Sequence, residues 1–269
     1  VYQWYKGLPS LVVALDERVK GYAIDIIDGG FVIEEVNNKH VTLDRFKIPS
    51  VSFKGYGWFG DYYRALFLAF QEYTNRTYNV GLRIKFVSDR DRTSFLFNYI
   101  GYGVSFIKLL DIFYGTGLSN NEVARIAYRG EHVYYGRFPE FSRIFGSVYG
   151  GANIFDPRNK TVSRLDVFDK FDPCFLIVDL GRVDLDVDFA LNDRDEMEKA
   201  LRMIHNIVEY SDLNYKYLGF SIFETDWDKI DIASFLDKIS ELEDSLFNRI
   251  KYTLLCNDCF RGWLNTGCE

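Results

Sequence analysis

The period at which apolar residues recur changes repeatedly along this chain, and few architectures accommodate such changes. Over residues 62–73, Tyr63, Leu66, Phe67 and Phe70 fall at helical spacing, which predicts a helix with a buried face. Residues 81–87 then alternate, the period of a half-buried strand. An apolar helix is expected over residues 102–113, and upstream residues 10–15, 22–27, 31–36 and 40–43 read as strands. Asp28-Gly29-Gly30 and Asn37-Asn38 separate those strands with hairpin chemistry, because such turns need positive φ. Further on, residues 174–178 form a continuous apolar strand. Met197, Leu201, Ile204 and Val208 repeat at helical spacing, and so do Phe235, Ile239, Leu242, Leu246 and Ile250. Strands and helices mixed without regular alternation predict an α+β fold.

At 269 residues with 48% apolar composition, the chain can bury a substantial core in one large or two joined domains. A net charge of -7 excludes a general nucleic-acid or anionic-membrane binder, since phosphate contacts need clustered Lys and Arg. No apolar run reaches bilayer-spanning length, and no signal peptide is read, so the expected location is cytoplasmic. Cys256-Asn257-Asp258-Cys259 has the spacing of half a zinc site or a redox pair. Only Cys268 lies near it, with Cys174 and all three histidines remote, so reduced and partly buried thiols are expected.

Ser119-Asn120-Asn121-Glu122 is a capping box, and the helix it opens carries Val123, Ile126, Ala127 and Val133 on one side. Ala127-Tyr128, Glu131 and Gly136 follow, and then Tyr149-Gly150-Gly151-Ala152-Asn153. In this order and spacing they resemble the GHMP kinase superfamily (galacto-, homoserine, mevalonate and phosphomevalonate kinases). The resemblance is closest to the branch acting on heptose 7-phosphate and fucose, in which a helix of the type LAelAyeiEreilG precedes GGkQDqYaAaFGGfNf. It implies a two-domain α+β fold, with an N-terminal domain over residues 1–160 and a C-terminal domain over residues 161–269. It also implies an ancestral ATP-dependent phosphorylation of a sugar or sugar phosphate.

Each chemical motif of that family is altered here. Counting back from Gly151, the family's catalytic Gln-Asp pair falls on Ser142 and Arg143, and an arginine stays protonated and cannot act as a general base. Arg143 is instead expected to pair with Glu131 or a phosphate. Glu131 stands where the family's magnesium-binding glutamate stands, without its partner serine. The phosphate loop falls on residues 92–102, where the three glycines are replaced by Ser94, Leu96 and Asn98 and the serine run by Tyr99, Ile100 and Gly101. Glycine matters there because a Cβ blocks close approach of backbone to phosphate. Arg92, Ser94, Asn98 and Gly101 are the candidate nucleotide contacts. Trp4-Tyr5-Lys6-Gly7 and the run from Ser10 through Asp16 resemble the segment in which a glycine turn leads into a strand ending aIDkyv. Lys6, Asp16, Gly150 and Gly151 are therefore the candidate substrate contacts. Asp226-Trp227-Asp228-Lys229 resembles the heptose-kinase W-x-K element, and residues 259–268 stand where a glycine cluster is expected. Two classes stay open: a degenerate homologue that binds a sugar or a protein partner without standard phosphotransfer, and a divergent active sugar or sugar-phosphate kinase using Mg-ATP.

Two further patterns have bland and chemical readings. Val183-Asp184-Leu185-Asp186-Val187-Asp188-Phe189 alternates as an edge strand whose carboxylates face water or gather a cation. His132 is a helix-surface residue or, beside Glu131, a proton shuttle.

Overall fold

A computed structural model describes residues 7–15, 18–36, 41–55, 57–88, 99–136, 141–159, 161–165 and 187–266. These are strands β1 (Ser10–Val13), β2 (Val19–Asp28), β3 (Gly30–Val36) and β4 (Val41–Lys47), helix α1 (Phe59–Thr74), strand β5 (Val80–Ser88) and helix α2 (Tyr99–Tyr114). Helix α3 (Asn120–Arg129) runs into a π turn (Gly130–Tyr134), followed by α4 (Phe141–Tyr149), β6 (Ala152–Asp156) and β7 (Thr161–Arg164). Helices α5 (Val187–Ile207), α6 (Ile232–Lys238) and α7 (Asp244–Thr266), with short 3₁₀ turns at Tyr215–Tyr217 and Trp227–Lys229 between α5 and α6, complete the described elements. The fold is α+β. The chain divides into two compact units, one of residues 13–151 and one joining residues 1–12 to 152–269.

In the 13–151 unit the sheet order is β2-β5-β3-β4. β5 runs antiparallel to β2 and parallel to β3, while β3 and β4 are antiparallel with Val36 opposite Val41. The expected turn at Gly29 has φ of 68°, as its glycine allows. It does not close a hairpin, however, because β5 lies between β2 and β3. Turn chemistry is local, whereas the strand that takes the partner's place arrives some 50 residues later in the sequence.

One sheet face carries Phe31, Ile33, Phe46, Leu82, Ile84 and Phe86, all buried. Phe67 of α1 and Phe106 of α2 meet Phe31 at centroid distances of 5.1 and 5.7 Å, and Tyr63 stacks on Phe86 at 5.4 Å. Edge-on and offset ring contacts of this kind add to simple area burial. α1 is buried on every side from Gly60 to Phe67, since β4, α2, α3 and the π turn all pack on it. The capping box forms as expected, with Ser119 accepting from the Glu122 amide and Glu122 returning to the Ser119 amide.

In the other unit the sheet order is β1-β6-β7. Its core gathers Leu8, Met197, Leu201, Ile204, Trp227, Phe235, Ile239, Leu246 and Ile250. The helical series from Phe235 to Ile250 is buried throughout, but it spans two helices: α6 ends at Lys238 and α7 begins at Asp244. Ser240 turns its hydroxyl onto the Asp237 carbonyl at 2.7 Å in the break between them. The alternating run at 183–189 is corrected where it is described, because α5 already begins at Val187. A short period-two pattern cannot outvote the helical series that follows it on the same helix. Residues 174–178 lie outside the described residues.

Candidate functional site

Glu131 occupies the first turn of the π segment, where α3 passes between α1 and α4. Its residue is fully buried, and Oε1 accepts a hydrogen bond from the Tyr62 phenol at 2.7 Å. Tyr62 projects from α1 and is itself enclosed, with the rings of Tyr99 and Tyr135 at 5.3 and 5.5 Å from its own. Burial, and then the charge of Glu131, push the Tyr62 phenol well above its ordinary pKa, so it stays a donor. Gly103 on α2 is what admits this ring, since a Cβ there would run into the Tyr62 phenol. Tyr62 is thus the described tyrosine that reaches the carboxylate, and Tyr99 and Tyr135 pack on its ring.

Arg143 lies half-buried on α4, directly after the buried Ser142. α3 and α4 pack together, with Tyr128 and Phe141 at 4.2 Å, so the structure brings the segments of Glu131 and Arg143 into one helical layer. Gly101 sits in the first turn of α2, and a Cβ there would press on Val19 of β2 at 3.1 Å. Its described neighbour is therefore the sheet. Gly150 and Gly151 both have left-handed φ, 67° and 62°, and turn the chain from α4 into β6. The Gly150 amide closes α4 on the Gly146 carbonyl at 3.0 Å, and the Gly151 carbonyl accepts from the Ala14 amide at 2.8 Å. Lys6, Asp16, Arg92, Ser94 and Asn98 lie outside the described residues. His132 is exposed. Cys256 and Cys259 are free thiols on α7, and Cys174 and Cys268 lie outside the described residues. The expected glycine cluster near the C-terminus is replaced by helix, since α7 runs unbroken to Thr266.

Sequence reasoning missed Tyr62 as the partner of Glu131, with Tyr99 and Tyr135 packed on its ring. It also missed a buried ionic group at the start of α1. Arg64 donates through Nη1 to Asp44 Oδ2 and through Nη2 to the Arg45 carbonyl at 2.9 Å, while Lys54 reaches Asp44 Oδ1 at 2.6 Å. Asp61 takes the Gly55 amide at 2.8 Å and stands 3.3 Å from Arg64. A signal existed: Asp44 shares a strand face with Phe46, and a carboxylate on an apolar face needs a partner.

No protein-family model matches this sequence, and no curated protein sequence matches it. Solved structures do match. The galactokinase of Lactococcus lactis, solved with galactose, superposes with a TM-score of 0.67 over 95% of this chain, at 14% identity. This chain has the fold of the GHMP kinases. The mevalonate kinase of Methanococcus jannaschii shares the GHMP kinase fold with it at a TM-score of 0.51 over 94% of this chain, 74% of its own length and 13% identity. The chain spans 63% of the galactokinase's length. Among the described residues, no helix is long and apolar enough to cross a membrane.

Proposed function

We propose that this chain is a degenerate GHMP-type sugar-kinase homologue that binds a sugar without standard Mg-ATP phosphotransfer. The observation that carries this is the state of Glu131. Magnesium takes near-octahedral oxygen ligands and keeps several waters, so its protein carboxylate must face an open, wet position. Glu131 is fully buried and holds the Tyr62 phenol on Oε1. The described residues therefore do not fit magnesium, and no phosphotransfer step is derived through it. Tyr99, which replaces a serine of the phosphate-loop helix by resemblance, packs its ring on Tyr62, the donor to that carboxylate. The loss of the three loop glycines at Ser94, Leu96 and Asn98 and the arginine at position 143 point the same way. The sugar-binding half of the proposal is supported by the match to a galactokinase solved with its sugar.

Thermal unfolding tests both halves, because a ligand stabilises the fold only as far as its concentration exceeds its dissociation constant. Millimolar Mg-ATP is expected to leave Tm unchanged, while a monosaccharide such as galactose raises it. A Mg-ATP-dependent rise that Arg92→Ala or Arg143→Asp abolishes would restore the divergent active kinase.

A further inference from the structure

A second site is built wholly within the unit that joins residues 1–12 to 152–269, and its construction is independent of the kinase-fold reading. A cleft of about 320 Å³ opens between the turn at Trp227 to Ala233 and helix α7. Small molecules commonly occupy pockets of about 300 to 1,000 Å³. At its inner wall Asn257 is only 4% exposed. Its Nδ2 donates to Asp228 Oδ1 at 2.9 Å. A carboxylate oxygen only accepts, so this bond fixes which end of the amide faces Asp228 and leaves Oδ1 turned elsewhere. Asn257 Oδ1 is buried and has no donor among the described residues. A buried carbonyl oxygen without a donor is costly, and it marks a place where a ligand or water supplies one.

The wall behind Asn257 is rigid. Asp228 also accepts from Arg158 Nη2 at 3.0 Å, and the Asp228 carbonyl accepts from Arg261 Nη1 at 2.5 Å. Arg158 reaches on to Asp226 at 3.3 Å, which in turn holds Lys229 at 2.8 Å. The amide is thus pre-set by a network in which its partner carboxylate is already engaged. Trp227 and Ile230 give the cleft an apolar floor, with Trp227 buried to 2% and its indole N–H spent on the Ile222 carbonyl at 3.1 Å.

The rest of the lining selects the ligand class. Asp231, whose Oδ1 takes the Ser234 amide, keeps its other oxygen, Asp258 offers acceptors, and Arg261 keeps donors besides the Nη1 held by the Asp228 carbonyl. An anion would meet the carboxylates and a cation would meet the guanidinium. Neutral hydroxyl groups both donate and accept, and they satisfy Asn257 Oδ1, the carboxylates and Arg261 together. We propose that this cleft binds a neutral polyol of monosaccharide size, with a ligand hydroxyl donating to Asn257 Oδ1.

Saturation-transfer NMR on the full chain tests this with galactose, mannose and myo-inositol, against putrescine and inorganic phosphate as charged probes. At least one polyol is expected to bind, and neither charged probe. In the Arg143→Asp background, which takes the kinase-fold site out of the signal, Ala233→Phe at an exposed lining position fills the cleft and is expected to abolish what remains. Asp258→Ala, also exposed, is expected to weaken binding about tenfold, the cost of one charge-assisted hydrogen bond. Asn257→Ala is read beside them only where its melting curve shows a folded chain. Arg143→Asp, in the other unit, is expected to leave this signal intact. No polyol signal, a signal that persists when Ala233→Phe and Arg143→Asp are combined, or binding of a charged probe in place of the polyols overturns the proposal. A signal lost in Arg143→Asp and kept in Ala233→Phe would assign the sugar to the kinase-fold site and leave that reading standing while this one falls.

Discussion

Tyr62 and Tyr63 are neighbours on α1, and each gives its phenolic proton to a different buried carboxylate. Tyr62 serves Glu131, and Tyr63 serves Glu35 of β3 at 2.7 Å. Successive helical residues diverge by about 100°, so one dipeptide ties the helix to the π turn and to the sheet. Tyr62→Phe leaves the Glu131 carboxylate short of this donor, and a loss of about 1–3 kcal/mol in urea unfolding is expected. Asp44 offers a test by pH. Burial works to raise its pKa, but hydrogen bonds from Arg64, Lys54 and Trp58 outweigh it and hold the carboxyl below its ordinary value. A depressed carboxylate contributes stability above its ordinary pKa of about 4 and loses it as the pH falls through the folded value. Tm is therefore expected to drop on acidification below about pH 4. Asp44→Asn should flatten that limb, and an unchanged slope in the variant would remove Asp44 from the acid response. The Tyr62–Glu131 bond was not legible in the sequence, because the two stand 69 positions apart and only the packing of α1 brings them together.

Among the elements, several whose signals are local were read correctly. α1, β5 and α2 follow from their apolar periods, and α3 from its capping box. Ser119→Ala removes the hydroxyl that takes the Glu122 amide, and about 1 kcal/mol of stability is expected to go with it, measured as a lower urea midpoint at constant slope. Non-local choices were not legible. The order β2-β5-β3-β4 depends on β5 pairing on both sides, with Ile84 opposite Ala23 on one strand and Ile33 on the other. Nothing in Asp28-Gly29-Gly30 encodes that insertion. The break between α6 and α7 was hidden for a related reason: Ile239 and Leu242 keep their places in the core although the backbone between them is no longer helical.

Across the whole molecule, the fold is shared with a galactokinase and a mevalonate kinase at 14% and 13% identity. Fold and chemistry are separable, so the shared fold leaves the chemistry to the site residues. The division of the chain has a consequence for its synthesis. Leu8 is 2% exposed in a core otherwise made from residues after Ala152, and β1 is hydrogen-bonded beside β6. A ribosome releases the first strand early and its partners late, while residues 13–151 hold a complete set of their own contacts in between. The amino-terminal strand must therefore wait, unpaired, while the intervening unit folds on the nascent chain. Its apolar Leu11, Val12 and Val13 are a stretch for a chaperone to shield until β6 emerges.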